Sequence, residues 1–344
     1  MSLVSVATNV IERVSFPDAV TSAGISFLVD RTRRKLERDG GASEVDFARL
    51  MAQQPIAVRP DAANAQHYEV AAEFFGLVLG PHRKYSCCLY QSDTDNLGRA
   101  EDHALADTAA HADLADGQDI LELGCGWGSL SLWMAAAYPQ ARITSVSNST
   151  GQRAYIEQQA AVLGLPNLRV ITADMNDFTC DERFDRVVSV EMFEHMTNWA
   201  SLLRRVHGWL RPDGRLFMHV FSHRSAPYVF DVADKEDWIA QHFFTGGIMP
   251  SHGLIRHVAD VFDVEADWRW SGEHYARTAR DWLANFDRNE DAVMQVLRGV
   301  YGTEASLWKR RWRLFFLATA GLFGHASGAE WGVSHYRLRP LVLE

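Results

Sequence analysis

Residues 120–128, ILELGCGWG, constrain the fold of this chain more than any other stretch. A short apolar run interrupted by Glu122 leads into Gly124, Cys125, Gly126, Trp127 and Gly128, and an apolar helical stretch follows over 129–138. Strand, glycine turn and helix, in that order, press a nucleotide-like ligand against bare backbone. The glycines permit backbone angles that side chains forbid and remove the Cβ atoms that would hold a ligand away. Their spacing is Gly-x-Gly-x-Gly, not the Gly-x-Gly-x-x-Gly of dinucleotide-binding folds.

The flanking sequence continues the alternation. Strands are expected at 118–123, 142–146, 168–172, 184–190, 215–221, 261–270 and 331–338, with helices at 98–114, 129–138, 150–163, 198–210 and 251–260. Such a series implies an α/β fold with a seven-stranded, mostly parallel sheet covered by helices. Residues 211–214 read as a turn. Past Phe221 a stretch rich in aromatics and histidines, 222–250, is expected as an inserted cap over the site, and 275–325 as a long helical region. Residues 1–97 read as a helical N-terminal cap ahead of a ligand-binding domain at 98–344: helices at 4–14 and 18–37, a loop at 39–43, a weak helix and connection over 44–66, and a helix from 67 that stops at Gly80-Pro81. The basic run at 31–35 is read as a solvated helix face.

Charge and composition exclude several classes. A net charge of −10 disfavours nucleic-acid binding and tight adhesion to anionic lipid. No stretch approaches the roughly 20 apolar residues that span a bilayer, so stable membrane insertion is not expected. The first residues carry no leader-cleavage pattern. Four cysteines without a CxxC pair argue against a disulfide framework or zinc site, and a reducing cytoplasm is the expected compartment. His242, His252, His257, His274, His325 and His335 are scattered, and His219 and His223 fall on either side of an expected strand end, so no metal is expected.

In a parallel sheet, ligands sit at the carboxyl ends of strands. That rule selects the glycine turn, Ser147 with Asn148, Asp174 with Met175, and residues 191–195. Asp174 is placed to accept from an adenine amino group, or to cap a turn. Where many nucleotide folds carry an acidic ribose ligand, this chain offers Ser147, Asn148 and Gln152, which hydrogen-bond without charge. Glu191, Met192, Phe193, Glu194 and His195 gather two carboxylates and an imidazole within five residues. Methylation of an amine needs a neutral nitrogen lone pair and gives a cationic product. A carboxylate stabilises that charge and an imidazole can take the proton.

The glycine turn with its preceding Glu122 resembles the first motif of S-adenosylmethionine-dependent methyltransferases. Further stretches make the resemblance specific: HYEVAAEFF, KYSCCLY, SVSNSTGQRAYIEQQA, FDRVVSVEMFEHMTN, FFTGGIMPS, HYARTARDWLANFD and EWGVSHY, spread in order over 67–336. Together they resemble the cyclopropane fatty acid synthase family, and within it the coclaurine N-methyltransferase branch. The resemblance implies a Rossmann-like class I methyltransferase sheet, S-adenosylmethionine as cofactor and a homodimer. It implies cofactor contacts from Tyr85, Ser86, Glu122, Gly124, Gly126, Gly128, Gln152, Asp174 and Met175, to which the strand-end reading adds Asn148. Cys87, Glu194, His219 and Tyr275 resemble the residues around the bicarbonate base of the synthases. Tyr90, Phe193, Phe243, Tyr275 and Trp331 are expected to help wall a pocket with cation–π character.

Position 191 separates the two branches. The synthases have a small residue there, in a V-G-M-F-E-H pattern, and the N-methyltransferases have glutamate. The expected catalytic set is Glu191 for amine binding with Glu194 and His195 for proton handling. The expected activity is methyl transfer to a small, aromatic or alkaloid-like amine. The alternative is cyclopropane synthesis on unsaturated phospholipid, and a non-catalytic cofactor-binding module would leave the group at 191–195 without a use.

Overall fold

A computed structural model describes residues 12, 16–38, 43–58, 71–234 and 237–343. The helix expected at 4–14 (Glu12 apart), the loop at 39–42 and most of the connection before residue 71 lie outside the described residues. Ahead of the sheet come α1 (Asp18–Arg38), α2 (Glu44–Met51), α3 (Ala72–Val78) and α4 (Leu97–His111). The sheet unit follows as β1 (Asp119–Leu123), α5 (Ser129–Ala137), β2 (Arg142–Ser147), α6 (Thr150–Leu163), β3 (Leu168–Thr172), β4 (Phe184–Val190), α7 (Trp199–Trp209) and β5 (Leu210–His223). The insert holds β6 (Tyr228–Val229), α8 (Trp238–His242) and β7 (Ile248–Met249). Then come α9 (Ile255–Val258), β8 (Phe262–Ser271), α10 (Gly272–Arg288), α11 (Glu290–Tyr301), α12 (Ala305–Phe323) and β9 (Trp331–Pro340).

Seven strands run in the order β3-β2-β1-β4-β5-β9-β8. The first five are parallel and β9 is antiparallel to both neighbours. This is the class I methyltransferase sheet. From β1 the chain proceeds outward to β2 on one side and later returns to β4 on the other. The two strand ends therefore open a crevice between them, where ligands bind in open α/β sheets.

Side chains alternate between faces, so each strand feeds two cores. Ile120, Val188 and Phe217 pack with Leu105 of α4 and with Leu130 and Met134 of α5. Their neighbours Leu121, Val187, Leu216 and Met218 pack on the other face with Leu202, Leu203 and Val206 of α7. A third core holds the helical cover, where Phe74 and Phe75 of α3 meet Trp312. Glu12 ties this cover to the insert: its carboxylate accepts from Trp238 Nε1 and Arg311 and lies 3.1 Å from His242 Nε2. Arg33 and Arg34 of the basic run pair with Asp30 and Glu37 on their own helix.

Three expectations differ. Residues 211–214 are no free turn: β5 pairs with β4 from Leu210, and the irregularity between Phe184 and Arg186 absorbs the extra residues as a bulge. Strand β5 also continues through His223, so His219 and His223 lie on one strand, not across its end. Finally, only four residues of the region 251–260 are helical, as α9, with turns before and after them. None of the described helices is long and apolar enough to cross a membrane.

Candidate active site

The crevice at the ends of β1 and β4 encloses about 1220 Å3 of atom-free space, its open mouth included. The glycine turn forms its floor. Gly124 takes φ 79°, Gly126 50° and Gly128 80°, all in the left-handed region. The glycines are not equivalent. A Cβ at Gly124 would come within 2.6 Å of Met192, and one at Gly128 within 2.6 Å of Ile156, whereas one at Gly126 would meet nothing within 4 Å. Packing and dihedral both demand glycine at 124 and 128, and at 126 the dihedral alone does.

Glu122, Tyr85, Ser86, Asn148, Gln152, Asp174 and Met175 all line this cavity. Glu122 is buried, and its Oε2 accepts from the hydroxyls of Ser131 and Ser145. Burial pushes its carboxyl up to about 7 against the opposing pull of the two hydroxyls. Ser147 Oγ donates to Gln152 Oε1 at 2.7 Å, which turns the amide so that Nε2 lies buried without a hydrogen-bond partner. Trp127 Nε1 and Ser129 Oγ, also on the wall, are buried and unpartnered too. Asp174 Oδ1 accepts from Asn176 N at 2.7 Å, closing a turn, and the residue borders the cavity.

Beside this row sits Glu191, whose φ of 48° is unusual for a residue with a side chain. Its N–H donates to His219 O at 2.8 Å, which pins the kink to β5. Its carboxylate has three hydrogen-bonding neighbours from the protein. Oε1 accepts from Cys87 N at 2.9 Å and lies 3.2 Å from His219 Nε2, and Oε2 accepts from Tyr275 OH at 2.7 Å. Burial raises the Glu191 pKa, while Lys84 and these donors oppose that rise. Three of the groups that resemble a bicarbonate shell therefore close on a carboxylate the chain supplies itself. Glu194, the fourth, points elsewhere: Oε1 accepts from Phe221 N at 2.7 Å, and Oε2 is buried without a hydrogen-bond partner. Burial and the neighbouring Glu191 push its carboxyl well above the usual range. His195 lines the cavity with its ring stacked on Phe244 at 4.4 Å.

Several expected wall residues stand back from this cavity. Phe193 packs edge-on against Trp199, Phe243 stacks on Phe315 at 4.4 Å, and Trp331 donates to Tyr228 OH. Tyr90 donates to Asp281 Oδ2 at 2.7 Å beneath the guanidinium of Arg277. All four belong to the packed interior: Phe193 fills the core between the sheet and α7, and the other three fill the core of the helical cover. Cys87, His219 and Tyr275 reach the site through Glu191 rather than by facing the cavity.

A family model described as mycolic acid cyclopropane synthetase matches residues 57–327. The chain belongs to that family. Within the mycolic acid cyclopropane synthetase family it is 33% identical over 299 residues to (S)-coclaurine N-methyltransferase of Thalictrum flavum subsp. glaucum, covering 86% of this chain and 83% of that one. It is 28% identical over 260 residues to cyclopropane-fatty-acyl-phospholipid synthase of Escherichia coli strain K12, covering 75% and 63%. A crystal structure of coclaurine N-methyltransferase bound to N-methylheliamine and SAH matches with TM-score 0.90 at 31% identity, covering 96% of this chain and 98% of that one. The chain stands nearer the N-methyltransferases than the cyclopropane synthases.

Sequence reasoning missed one set of residues in this family member. Asp107, His111 and His335 bring their ligating atoms within 4.8 Å of one another, and the ring nitrogens of the two histidines bond each other. Their separations in sequence carry no motif. Packing of α4 against β9 brings them together, and the pairing of β5 with β9 sets His219 opposite His335.

Proposed function

We propose that the chain transfers a methyl group from S-adenosylmethionine to the nitrogen of a small amine with an aromatic or alkaloid-like body. The observation that carries this reading is the carboxylate of Glu191, held by Cys87, His219 and Tyr275 on the cavity wall. An immobilised carboxylate on the wall of a partly enclosed cavity attracts an ammonium, whereas beside an acyl chain its desolvation goes uncompensated.

The residues present fit the cofactor. Gly126 leaves backbone open to it, and the unpartnered Gln152 Nε2 and Ser129 Oγ are donors awaiting acceptors. In this reading Tyr85 and Ser86 take the methionine end, the glycine turn with Glu122 the middle, Asn148 and Gln152 the ribose, and Asp174 and Met175 the adenine. S-adenosylmethionine supplies an electrophilic methyl on its sulfonium. Glu191 holds the substrate ammonium and takes its proton, freeing the lone pair for in-line attack. His195, stacked on Phe244 at the cavity wall, is the second proton-handling group of this reading. Glu194 sits behind the wall and supports the 191–195 turn through Phe221 N–H. The segments 71–97 and 222–250 act as caps that exclude water. The same reading places a homodimer in the cytoplasm.

Benzylic amines, isoquinolines and unsaturated phospholipid vesicles, each incubated with the protein and S-adenosylmethionine, separate the readings by product mass. An amine heavier by one methyl group is the expected product. A lipid heavier by one methylene, with no amine product, would overturn the assignment.

A further inference from the structure

We propose that His335 and His111 act through His219 as a proton path that sets the charge of Glu191 from the surface at the end of α4. The proposal rests on the reading of Glu191 as the carboxylate that serves the amine.

The path is continuous. Glu191 Oε1 lies 3.2 Å from His219 Nε2, and His219 Nδ1 lies 2.8 Å from His335 Nε2. His335 Nδ1 lies 2.8 Å from His111 Nδ1, which is 3.3 Å from Asp107 Oδ2. His219 and His335 are fully buried, whereas the side chains of His111 and Asp107 are 17% and 29% exposed. Methyl transfer as derived above uses neither His335 nor His111. Buried imidazoles are costly on a sheet face that otherwise carries Phe217, and an apolar pair at this register would pack there without that cost.

A neutral imidazole has one donor and one acceptor, so the polarity of one contact fixes all the others. With Glu191 ionised, His219 Nε2–H donates to it, His335 Nε2–H donates to His219, and His111 Nδ1–H donates to His335. With Glu191 protonated and donating to His219, every hydrogen sits on the opposite nitrogen. One passage connects the two arrangements. The Glu191 O–H bond breaks as His219 Nε2–H forms, His219 Nδ1–H passes to His335 Nε2, and His335 Nδ1–H passes to His111 Nδ1. The resulting His111 imidazolium, stabilised by Asp107, releases its Nε2 proton to water. One proton leaves Glu191 and one enters solvent. The reverse passage, with a proton taken from water at His111 Nε2, returns Glu191 to its protonated form.

Other charged groups face both ends. Lys84, Glu194 and Tyr275 stand near the inner end. At the outer end Arg337 donates to His111 O and pairs with Glu265. Stacking of His111 on Trp268 at 3.8 Å holds the outer ring in line.

Steady-state kinetics with an amine the full chain methylates test the path. His111→Ala is expected to lower kcat by about tenfold or more, with amine KM and SAH affinity unchanged, and added imidazole is expected to restore it. His335→Phe, which fills the buried position and leaves imidazole no room, is expected to show the same fall without rescue. Parental kcat in both variants would overturn the path, as would a fall in His111→Ala matched by weaker SAH binding and unmoved by imidazole. A parent protein that methylates no amine would instead sink the reading of Glu191, and the path with it.

Discussion

At residue 191 the backbone and the side chain make opposite demands. A left-handed φ costs a side-chain-bearing residue about 1–2 kcal/mol, and burial of its carboxylate costs more. Both costs are met by three donors and one backbone bond to His219. Glu191→Gln keeps the shape and removes the charge, so kcat/KM for an amine should fall by about a hundredfold or more with SAH binding retained, measured by methyl-transfer kinetics and calorimetry. Glu191→Gly should lose the same activity while its thermal midpoint holds or rises, since glycine relaxes the φ of 48°. Gln152→Leu removes a donor without a protein partner, and about 1 kcal/mol of S-adenosylmethionine affinity should go with it, read as a severalfold rise in KM for the cofactor. Glu191, Glu194 and His195 were legible in the sequence because five consecutive residues at a strand end carry them. Their different depths were not. Glu194 turns toward Phe221 because residues 193–195 form a single 3-10 turn, and sequence spacing does not reveal that geometry.

Among the elements, the glycine turn shows how much one motif conceals. Three glycines read alike in sequence, yet Gly128 packs on Ile156 of α6, Gly124 on Met192 after β4, and Gly126 on neither. Gly128→Ala should therefore cost stability through both dihedral strain and overpacking, about 2–4 kcal/mol in denaturant unfolding. Gly126→Ala should cost only the dihedral part, about 1–2 kcal/mol. The parallel strands were legible because each is a short apolar run between turn signals. The bulge that carries 211–214 into β5 was not, since Pro212 and Gly214 give the ordinary signs of a chain reversal and only the pairing with β4 keeps the strand going. The aromatics of the insert and cover posed a similar problem. Composition cannot tell a pocket wall from a core, and Phe243 went to the core because Phe315 and Trp312 lie against it.

For the whole molecule, buried titratable groups at the sheet ends make stability depend on pH in two opposing ways. Glu122 is raised from 4.5 to about 7 in the fold. The unfolded chain releases this proton first, so the contribution is fully present below about pH 4.5 and is lost as pH rises through about 7, at most on the order of 3 kcal/mol. His219 and His335 are held well below 6.5 by burial, so their contribution runs the other way, growing as pH rises toward 6.5 and levelling off above it. Unfolding free energies of the parent and Glu122→Gln, compared from pH 4.5 to 7.5, isolate the first part. The parent should lose stability relative to the variant across that window, and parallel curves would show that Glu122 does not titrate there.

The left-handed backbone at residue 191 also bears on how such a family diversifies. A position that glycine occupies without strain can lose its side chain and leave the path of the chain unchanged. Here the loss would also set free the N–H of Cys87, the ring of His219 and the hydroxyl of Tyr275 around a vacated space of carboxylate size. One exchange would thus leave a socket lined by three hydrogen-bonding groups, of a size and polarity that suit a small anion.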